Sequence, residues 1–251
     1  MKNCCHIPSA LLNLARRSGE ALLSLLYPPH CANCQADTDA GVHLCSKCAR
    51  DAPRVEPPYC EQCSQPFPGD ITGPFVCQNC VGRSYHFQCA VSPYCGRDVV
   101  KEFIHRFKYN GHFYLRHQLA DWLAEGLKDP RLQAPPFDLI IPVPLHPARR
   151  REREFNQAEV LARLLARRAN RPVSTCLRRT RYTTTQTRLD RNQRMENLRG
   201  AFSLRQTGAV TDRHLLLIDD VLTTGSTVDE CSRVLMEAGA ASVRVLTAAR
   251  A

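Results

Sequence analysis

Hydrophobic and polar positions follow two different periods through residues 97–251. Short hydrophobic runs of strand length cover residues 137–143, 174–178, 201–204, 215–218 and 243–248. Apolar positions recur every three or four residues over 97–128, 155–171 and 226–238. The short runs are typical of buried strands, and the longer spacing is typical of amphipathic helices. Their alternation predicts an α/β fold with a mostly parallel sheet flanked by helices.

Residues 9–26 carry leucines at helical spacing, but Arg16, Arg17 and Glu20 interrupt them. No apolar stretch reaches the roughly 20 residues that a membrane-spanning helix needs. We therefore expect residues 1–30 to form an amphipathic docking helix, with an interfacial membrane helix as the alternative. Stable membrane insertion is not expected, and no secretory signal is visible, so we expect a cytoplasmic protein.

Cysteine spacing is the second strong pattern, because eight of the fourteen cysteines fall in four Cys-x-x-Cys pairs. The pairs are Cys31/Cys34, Cys45/Cys48, Cys60/Cys63 and Cys77/Cys80. Two sulfurs at this spacing reach one ion, and two pairs complete a tetrahedral Cys4 site with no open position. The pattern predicts two structural zinc ions in a small, proline-rich module over residues 31–95, whose stability comes largely from metal. Spacing leaves sequential and cross-braced pairing open, and iron–sulfur ligation is a less favoured alternative.

The hydrophobic run at 215–218 opens the most informative stretch, Leu-Leu-Leu-Ile-Asp-Asp-Val-Leu-Thr-Thr-Gly-Ser-Thr-Val at 215–228. It predicts a buried strand, a tight loop and a helix start, whose N–H groups and helix dipole suit a phosphate. Asp219 and Asp220 lie where open α/β sheets bind ligands, and they can grip sugar hydroxyls or a metal. A sugar phosphate is the expected ligand, and an ordinary capped strand–helix turn is the alternative. A Walker-type loop is excluded, because no Gly-x-x-x-x-Gly-Lys occurs.

Positive charge is concentrated beside this stretch. The formal net charge is +10 with a pI near 9.1, and sixteen arginines stand against five acids between residues 149 and 205. This excess predicts anionic partners, either phosphorylated metabolites or a nucleic-acid strand. The Pro-rich turn expected at 142–147, followed by Arg149, Arg150 and Arg151, can place cations over a diphosphate. The polar stretch 179–199 has few apolar anchors, so it is expected to be a hood that closes on substrate.

The stretch at 215–228 resembles the 5-phosphoribosyl 1-diphosphate (PRPP) motif of type I phosphoribosyltransferases, from its four hydrophobic residues and two acids to Thr-Thr-Gly. Nearly the whole chain resembles the ComF family, competence-associated proteins with a phosphoribosyltransferase-like domain behind a cysteine zinc module. The likeness includes Leu-Tyr-Pro-Pro before Cys31, Phe107-Lys108-Tyr109, Val-Pro-Leu-His-Pro at 143–147 and Phe155-Asn156-Gln157. One departure is Glu154, where relatives usually have glycine.

The resemblance implies a type I phosphoribosyltransferase-like domain over residues 96–251 that binds PRPP with Mg²⁺. It implies PRPP contacts from Asp219, Asp220, Val221, Leu222, Thr223, Thr224, Gly225, Ser226, Thr227, Pro144, Leu145, His146 and Arg150. The two aspartates are also the implied catalytic residues, holding the ribose hydroxyls and the metal shell. The implied hood residues are Thr185, Gln186, Arg194 and Asn197.

Two functions fit these features. The first is a phosphoribosyltransferase, linked to DNA uptake in natural transformation, that acts on an acceptor the sequence does not identify. The second is a non-catalytic factor that binds single-stranded DNA and keeps PRPP as a regulator or vestige. Few aromatic residues lie in the basic segment (Phe155, Tyr182 and Phe202), which argues against a base-stacking platform. The resemblance also implies a protein partner for the zinc module, such as a DNA-uptake helicase.

Overall fold

The computed structural model describes residues 29–109, 111–182, 193, 197–205 and 208–251. The expected N-terminal helix lies outside these ranges, as do the hood residues Thr185, Gln186 and Arg194. The chain divides into two compact units, one ending at Asp51 and the other running from Ala52 to Ala251. Among the described helices, none has the length and apolar character needed to cross a membrane.

The described part of the first unit is folded around cysteines. Helix α1, Ser46–Arg50, begins after Cys45, whose sulfur accepts the backbone N–H of Cys48 at 3.5 Å. Before it, His30 and Asp37 form an antiparallel bridge. Short polar segments of this kind bury little apolar surface, so a bound metal is the natural source of their stability.

The second unit is built on a parallel sheet, as the sequence predicts. Its strands are β1 (Ala90–Val91), β2 (Tyr94–Cys95), β3 (Leu139–Pro142), β6 (His214–Leu222) and β7 (Ser242–Arg250). The order is β1-β7-β6-β3, and β2 also pairs with β7. A separate antiparallel pair joins β4 (Leu177–Arg179) to β5 (Phe202–Leu204). Strand β6 is therefore central, with neighbours on both edges.

Helices cover both faces of this sheet. They are α2 (Asp98–Tyr109), α3 (Arg116–Gly126), α4 (Pro147–Arg153), α5 (Gln157–Ala169) and α6 (Ser226–Glu237). Helices α3 and α5 pack on each other and on β7 and β6, respectively. A Cβ added at Gly126 would lie 2.6 Å from Leu246 Cδ1, so α3 rests directly on β7. Helix α6 packs in the same core cluster as Leu217 and Val245.

Strand β6 is longer than its hydrophobic run. The sequence predicts a strand over 215–218, but pairing with β7 continues through Val221 and Leu222, which face Ala249 and Arg250. The two acids are therefore part of the strand and not of the loop that follows it. Backbone hydrogen bonding along a long, fully buried neighbour extends the strand past the point where its side chains become polar.

The Pro-rich turn expected after β3 contains helix α4. His146 precedes the helix and its Nδ1 accepts the backbone N–H of Ala148 at 3.2 Å, while Pro147 takes the first helical position. Helix α4 ends at Glu154, which has a left-handed backbone with φ of 66°. Glycine adopts this conformation without steric cost, which accounts for the glycine expected there in relatives.

Candidate functional site

The predicted phosphate loop joins the end of β6 to the start of α6. Gly225 precedes the helix with φ of 82°, and an added Cβ there would meet nothing within 4 Å. Glycine suits this position because it adopts positive φ easily, and not because a larger side chain would clash. The hydroxyls of Thr224 and Ser226 lie 3.0 Å apart, and Thr223 is exposed. Hydroxyls and the first backbone N–H groups of the helix thus gather at the positive end of a 12-residue helix, as an anion site requires.

The acid pair lies one turn of chain before this loop. Asp220 is buried, and its backbone N–H donates to Asp219 Oδ1 at 2.9 Å. Burial raises the pKa of Asp219 to about 7, and the charge of Asp220 adds to the rise, while Lys108 and Arg179 oppose it. Near neutral pH this carboxyl therefore exchanges its proton easily, and an arriving cation would favour the charged form.

Two cations act on the acid pair, Lys108 by contact and Arg179 through its charge, from elements that no sequence pattern connects with it. Lys108, at the end of α2, places its Nζ 2.8 Å from Asp220 Oδ1. Arg179, at the end of β4, has its pKa lowered by burial and by Arg149, while the charge of Asp219 acts in the opposite direction. In the sequence, Lys108 stands out only as part of a family motif, and Arg179 only as the first residue of the expected hood.

The predicted diphosphate loop faces a basic cavity. Pro144, Leu145 and Arg150 line a cavity of about 180 Å³. Arginines from β4 and from the segment after β5 also line it: Arg178, Arg179 and Arg205. His146 instead caps α4 and stacks edge-on against Tyr182, with 5.1 Å between ring centres. None of the residues from Asp219 to Thr227 lines this cavity. The predicted PRPP residues therefore fall into two groups, one around the cavity and one from the end of β6 to the start of α6. Arg179 lines the cavity, and its charge also acts on Asp219.

The base of the hood is fastened to the sheet and to α6. Arg181 donates to the carbonyl of Asn197 at 2.6 Å, across the two ends of the hood segment. The N–H of Gly200 donates to Glu230 Oε1 at 2.7 Å, and Glu230 is also paired with Arg233. Asn197 therefore contributes a backbone contact that ties the hood's ends together.

The eight predicted metal ligands form two clusters by sequential pairing, which decides the question that spacing left open. The clusters are Cys31, Cys34, Cys45, Cys48 and Cys60, Cys63, Cys77, Cys80. In each cluster the sulfurs lie within 4.8 Å of one another. Donors point at the sulfurs: Asn33 Nδ2 to Cys48 at 3.3 Å, and the N–H of Cys77 to Cys60 at 3.4 Å. Four thiolates with supporting N–H donors fit structural zinc in both clusters.

The second cysteine cluster belongs to the same compact unit as the phosphate loop. His86, six residues after Cys80, donates its N–H to Asp229 Oδ1 at 2.7 Å, in the first turn of α6. Cys60 raises the pKa of Cys63, and the charge of Arg250 opposes this rise. Arg250 also donates to the carbonyl of Leu222 at 2.9 Å. The two chain ends of the phosphate loop are thus each held by a residue close to this cluster.

Comparison with known proteins gives two domain matches. A double zinc ribbon domain matches residues 22–81, and a phosphoribosyl transferase domain matches residues 156–251. The second Cys4 cluster lies entirely inside the first match by sequence, although in space it belongs to the unit that holds the sheet.

Similar proteins extend over most of the chain. Competence protein F of Haemophilus influenzae is 31% identical, over 88% of this chain and 96% of its own. DNA utilization protein YhgH of Escherichia coli K12 is 33% identical over 80% and 88%, and competence protein ComFC of Streptococcus pneumoniae is 29% identical over 82% and 87%. The glutamine PRPP amidotransferase of B. subtilis superimposes with a TM-score of 0.35 at 23% identity, covering 52% of this chain and 25% of that one. That superposition is too partial to carry an argument.

We expect His86→Ala to loosen the phosphate loop without emptying the cysteine clusters. The substitution removes the imidazole, and with it the packing that holds the 86 backbone N–H against Asp229. Hydrogen exchange of the amides at 223–229 should become faster, while zinc content by mass spectrometry stays unchanged. His105→Ala, on the exposed side of α2, is the control and should leave exchange as in the wild type. Unchanged protection at 223–229 in His86→Ala would contradict the link.

We expect Asp219→Asn to change how stability depends on pH. The folded protein holds the Asp219 proton up to about pH 7, whereas the ordinary pKa is 3.8, so between these values the folded state binds more protons. The free energy of unfolding therefore falls as pH rises through this window, and the loss is complete above the folded pKa. Relative to Asp219→Asn, the wild type should lose stability from about pH 4 to pH 7, as measured by urea midpoints. Exposed Asp70→Asn should follow the wild type, and parallel curves for wild type and Asp219→Asn would refute the shifted pKa.

Proposed function

The chain belongs to the ComF family of competence proteins, and from this premise we propose that it binds PRPP with Mg²⁺ and transfers the phosphoribosyl group to an acceptor. The chain is a competence-linked protein with a phosphoribosyltransferase-type domain. The observation that supports PRPP binding is the acid pair at the end of β6, beside the N-terminus of α6, which begins after a left-handed glycine. In this proposal the acid pair holds the ribose diol, and the helix N-terminus holds the 5′-phosphate.

In this proposal the loop residues bind the 5′-phosphate and the acids bind the sugar. Residues Thr223 to Thr227 offer backbone N–H groups and hydroxyls to the phosphate, supported by the dipole of α6. Asp219 and Asp220 accept hydrogen bonds from the ribose hydroxyls. Their hard oxygens also fit Mg²⁺, which when bound would neutralise charge on the diphosphate. Arg150 and Arg179 would stand near the leaving group.

The proposed transfer needs no covalent intermediate on the protein. The bond between ribose C1 and the diphosphate oxygen breaks, and diphosphate leaves with the electron pair. A lone pair on the acceptor forms the new bond to C1, and the acceptor loses its proton to solvent. Positive charge that develops at C1 lies near the acid pair, so positioning and charge stabilisation supply the rate.

The test of PRPP binding compares two glycines that share a left-handed backbone conformation, one inside the predicted phosphate loop and one outside it. Gly225 and Gly208 have φ of 82° and 91°, and an added Cβ would meet nothing within 4 Å at either. Alanine at either position should cost roughly 1 kcal/mol of folding free energy, because both need a left-handed backbone. Gly225→Ala should bind PRPP with Mg²⁺ at least about tenfold more weakly by calorimetry, since its loop N–H groups move. Gly208→Ala should bind as the wild type does.

Equal affinity in the two glycine variants would contradict the phosphate loop. Turnover is tested separately, as diphosphate release in the presence of free bases, ammonia and single-stranded DNA. Release that no acceptor increases above the rate of hydrolysis would leave binding intact and would contradict transfer.

A second candidate function, binding a single nucleic-acid strand, is favoured by a surface that the sequence did not show. Exposed aromatic rings, several of them from outside the basic segment at 149–205, lie beside arginine side chains. This aromatic–arginine surface contains Tyr109, Phe113, Tyr114, Tyr182, Arg116, Arg149 and Arg153. Arg153 lies 4.7 Å from the centre of the Tyr109 ring, and Arg116 lies 4.1 Å from that of Phe113. Rings backed by guanidinium groups suit stacked bases and phosphates.

For this second function we expect two variants to act differently across a salt series with a short single strand. Arg153→Ala should reduce the slope of log affinity against log salt by about 0.7, the value for one phosphate contact on a single strand. Tyr109→Ala should lower affinity by about tenfold or more at every salt concentration, since a stacked base is lost. Exposed Arg213→Ala is the control. Affinity that does not depend on salt would contradict this function.

Two further expectations stay proposals, and the first of them rests on family resemblance. One is that the cysteine module docks on a protein partner such as a DNA-uptake helicase. The other is that the chain works in the cytoplasm.

A further inference from the structure

Lys108 occupies the place where a metal ion would neutralise the acid pair. Its Nζ is 2.8 Å from Asp220 Oδ1, and both side chains are largely shielded, at 20% and 8% exposure. An ion pair this enclosed is screened little by salt, and a carboxylate left alone there would be costly. The described structure thus brings its own cation to Asp220.

The position of Lys108 is fixed by its neighbours on both sides. Phe107 is buried and its ring centre lies 5.2 Å from that of Phe155. Tyr109 accepts a hydrogen bond from Arg153 Nη2 at 2.7 Å. The last turn of α2 is therefore tied to the end of α4 and to Phe155 just after it, which leaves the Lys108 ammonium directed at Asp220. Ordering its long side chain in advance lowers the entropy that a ligand contact would cost.

We propose that Lys108 is the resident cation of the acid pair, and that it lets the site bind a ribose 5-phosphate group without a divalent metal. The inference rests on the proposed function, since it concerns the same ribose site. An ammonium has three donors, and the contact with Asp220 uses one. The others can donate to a ribose hydroxyl whose own proton goes to a carboxylate oxygen. A divalent metal at Asp220 Oδ1 competes with Lys108 for that oxygen.

A purely structural ion pair would have different consequences. Its loss would lower stability and weaken every ligand alike, with or without metal. A resident cation makes metal and lysine alternatives to each other. Removing it should abolish metal-free sugar binding, preserve metal-dependent sugar binding, and strengthen binding of the metal alone.

The experiment is calorimetry with ribose 5-phosphate, in EDTA and in Mg²⁺, together with a titration of Mn²⁺ alone. The wild type should bind ribose 5-phosphate in EDTA. Lys108→Met should bind it about tenfold or more weakly in EDTA, the loss expected for a charged hydrogen bond, and should recover most of this loss in Mg²⁺. It should also bind Mn²⁺ more tightly than the wild type does. Lys108→Arg should keep part of the metal-free affinity, and exposed Lys101→Met, on the same helix, should behave as the wild type.

The outcomes separate this inference from the function on which it rests. Wild type that binds PRPP in Mg²⁺ but binds ribose 5-phosphate only with metal overturns the role of Lys108 and leaves PRPP binding intact. Wild type that binds neither ligand under any condition overturns both. A Lys108→Met protein that weakens equally in EDTA and in Mg²⁺ assigns the lysine a structural role. If Lys108→Met fails to fold, the wild-type measurement in EDTA still decides whether the site binds ribose 5-phosphate without metal.

Discussion

The site depends on the cost of placing two adjacent carboxylates at the end of a central, buried strand. Pairing with β7 carries β6 past its hydrophobic run, so both acids enter the sheet, where Asp220 is buried and Asp219 is half-buried. Two such charges cannot both remain ionised without positive neighbours. Lys108 supplies one contact and Arg179 a longer-range attraction, and the pKa of Asp219 still rises to about 7. The arrangement stores an affinity for cations and hydroxyl donors, which a ribose with Mg²⁺ would satisfy.

The two cysteine clusters differ in how deeply their residues are buried. Cys34 of the first cluster is exposed and Cys45 is half-buried, whereas all four sulfurs of the second are in buried residues. The second cluster packs in the core beneath the sheet, and His86 and Arg250 connect its surroundings to the two ends of the phosphate loop. Metal bound in the second cluster would therefore stabilise the unit that holds the proposed ligand site, while metal bound in the first would stabilise the other unit.

Features written in consecutive residues could be predicted from the sequence, and features made by tertiary contact could not. The strand, loop and helix at 215–237 and the Cys-x-x-Cys pairs are local, so spacing was sufficient to predict their structure. Helix α4 was predicted as a turn, although a capping histidine followed by proline was a usable signal. Lys108 and Arg179 reach the acids from α2 and β4, and no periodicity links those elements to β6. The aromatic surface was missed for the same reason, because Tyr109 lies far in sequence from Arg153, whose guanidinium group stacks on its ring.

PRPP binding by the acid pair is tested most directly by calorimetry of PRPP with Mg²⁺, comparing the wild type with the double variant Asp219→Asn and Asp220→Asn. Both substitutions keep the shape of the side chains and remove the charges that hold the ribose hydroxyls and metal. The account predicts clear binding by the wild type and a loss of about a hundredfold or more in the double variant, as two charged hydrogen-bond acceptors are removed. Equal affinity in the two proteins, or no binding by the wild type, would contradict it.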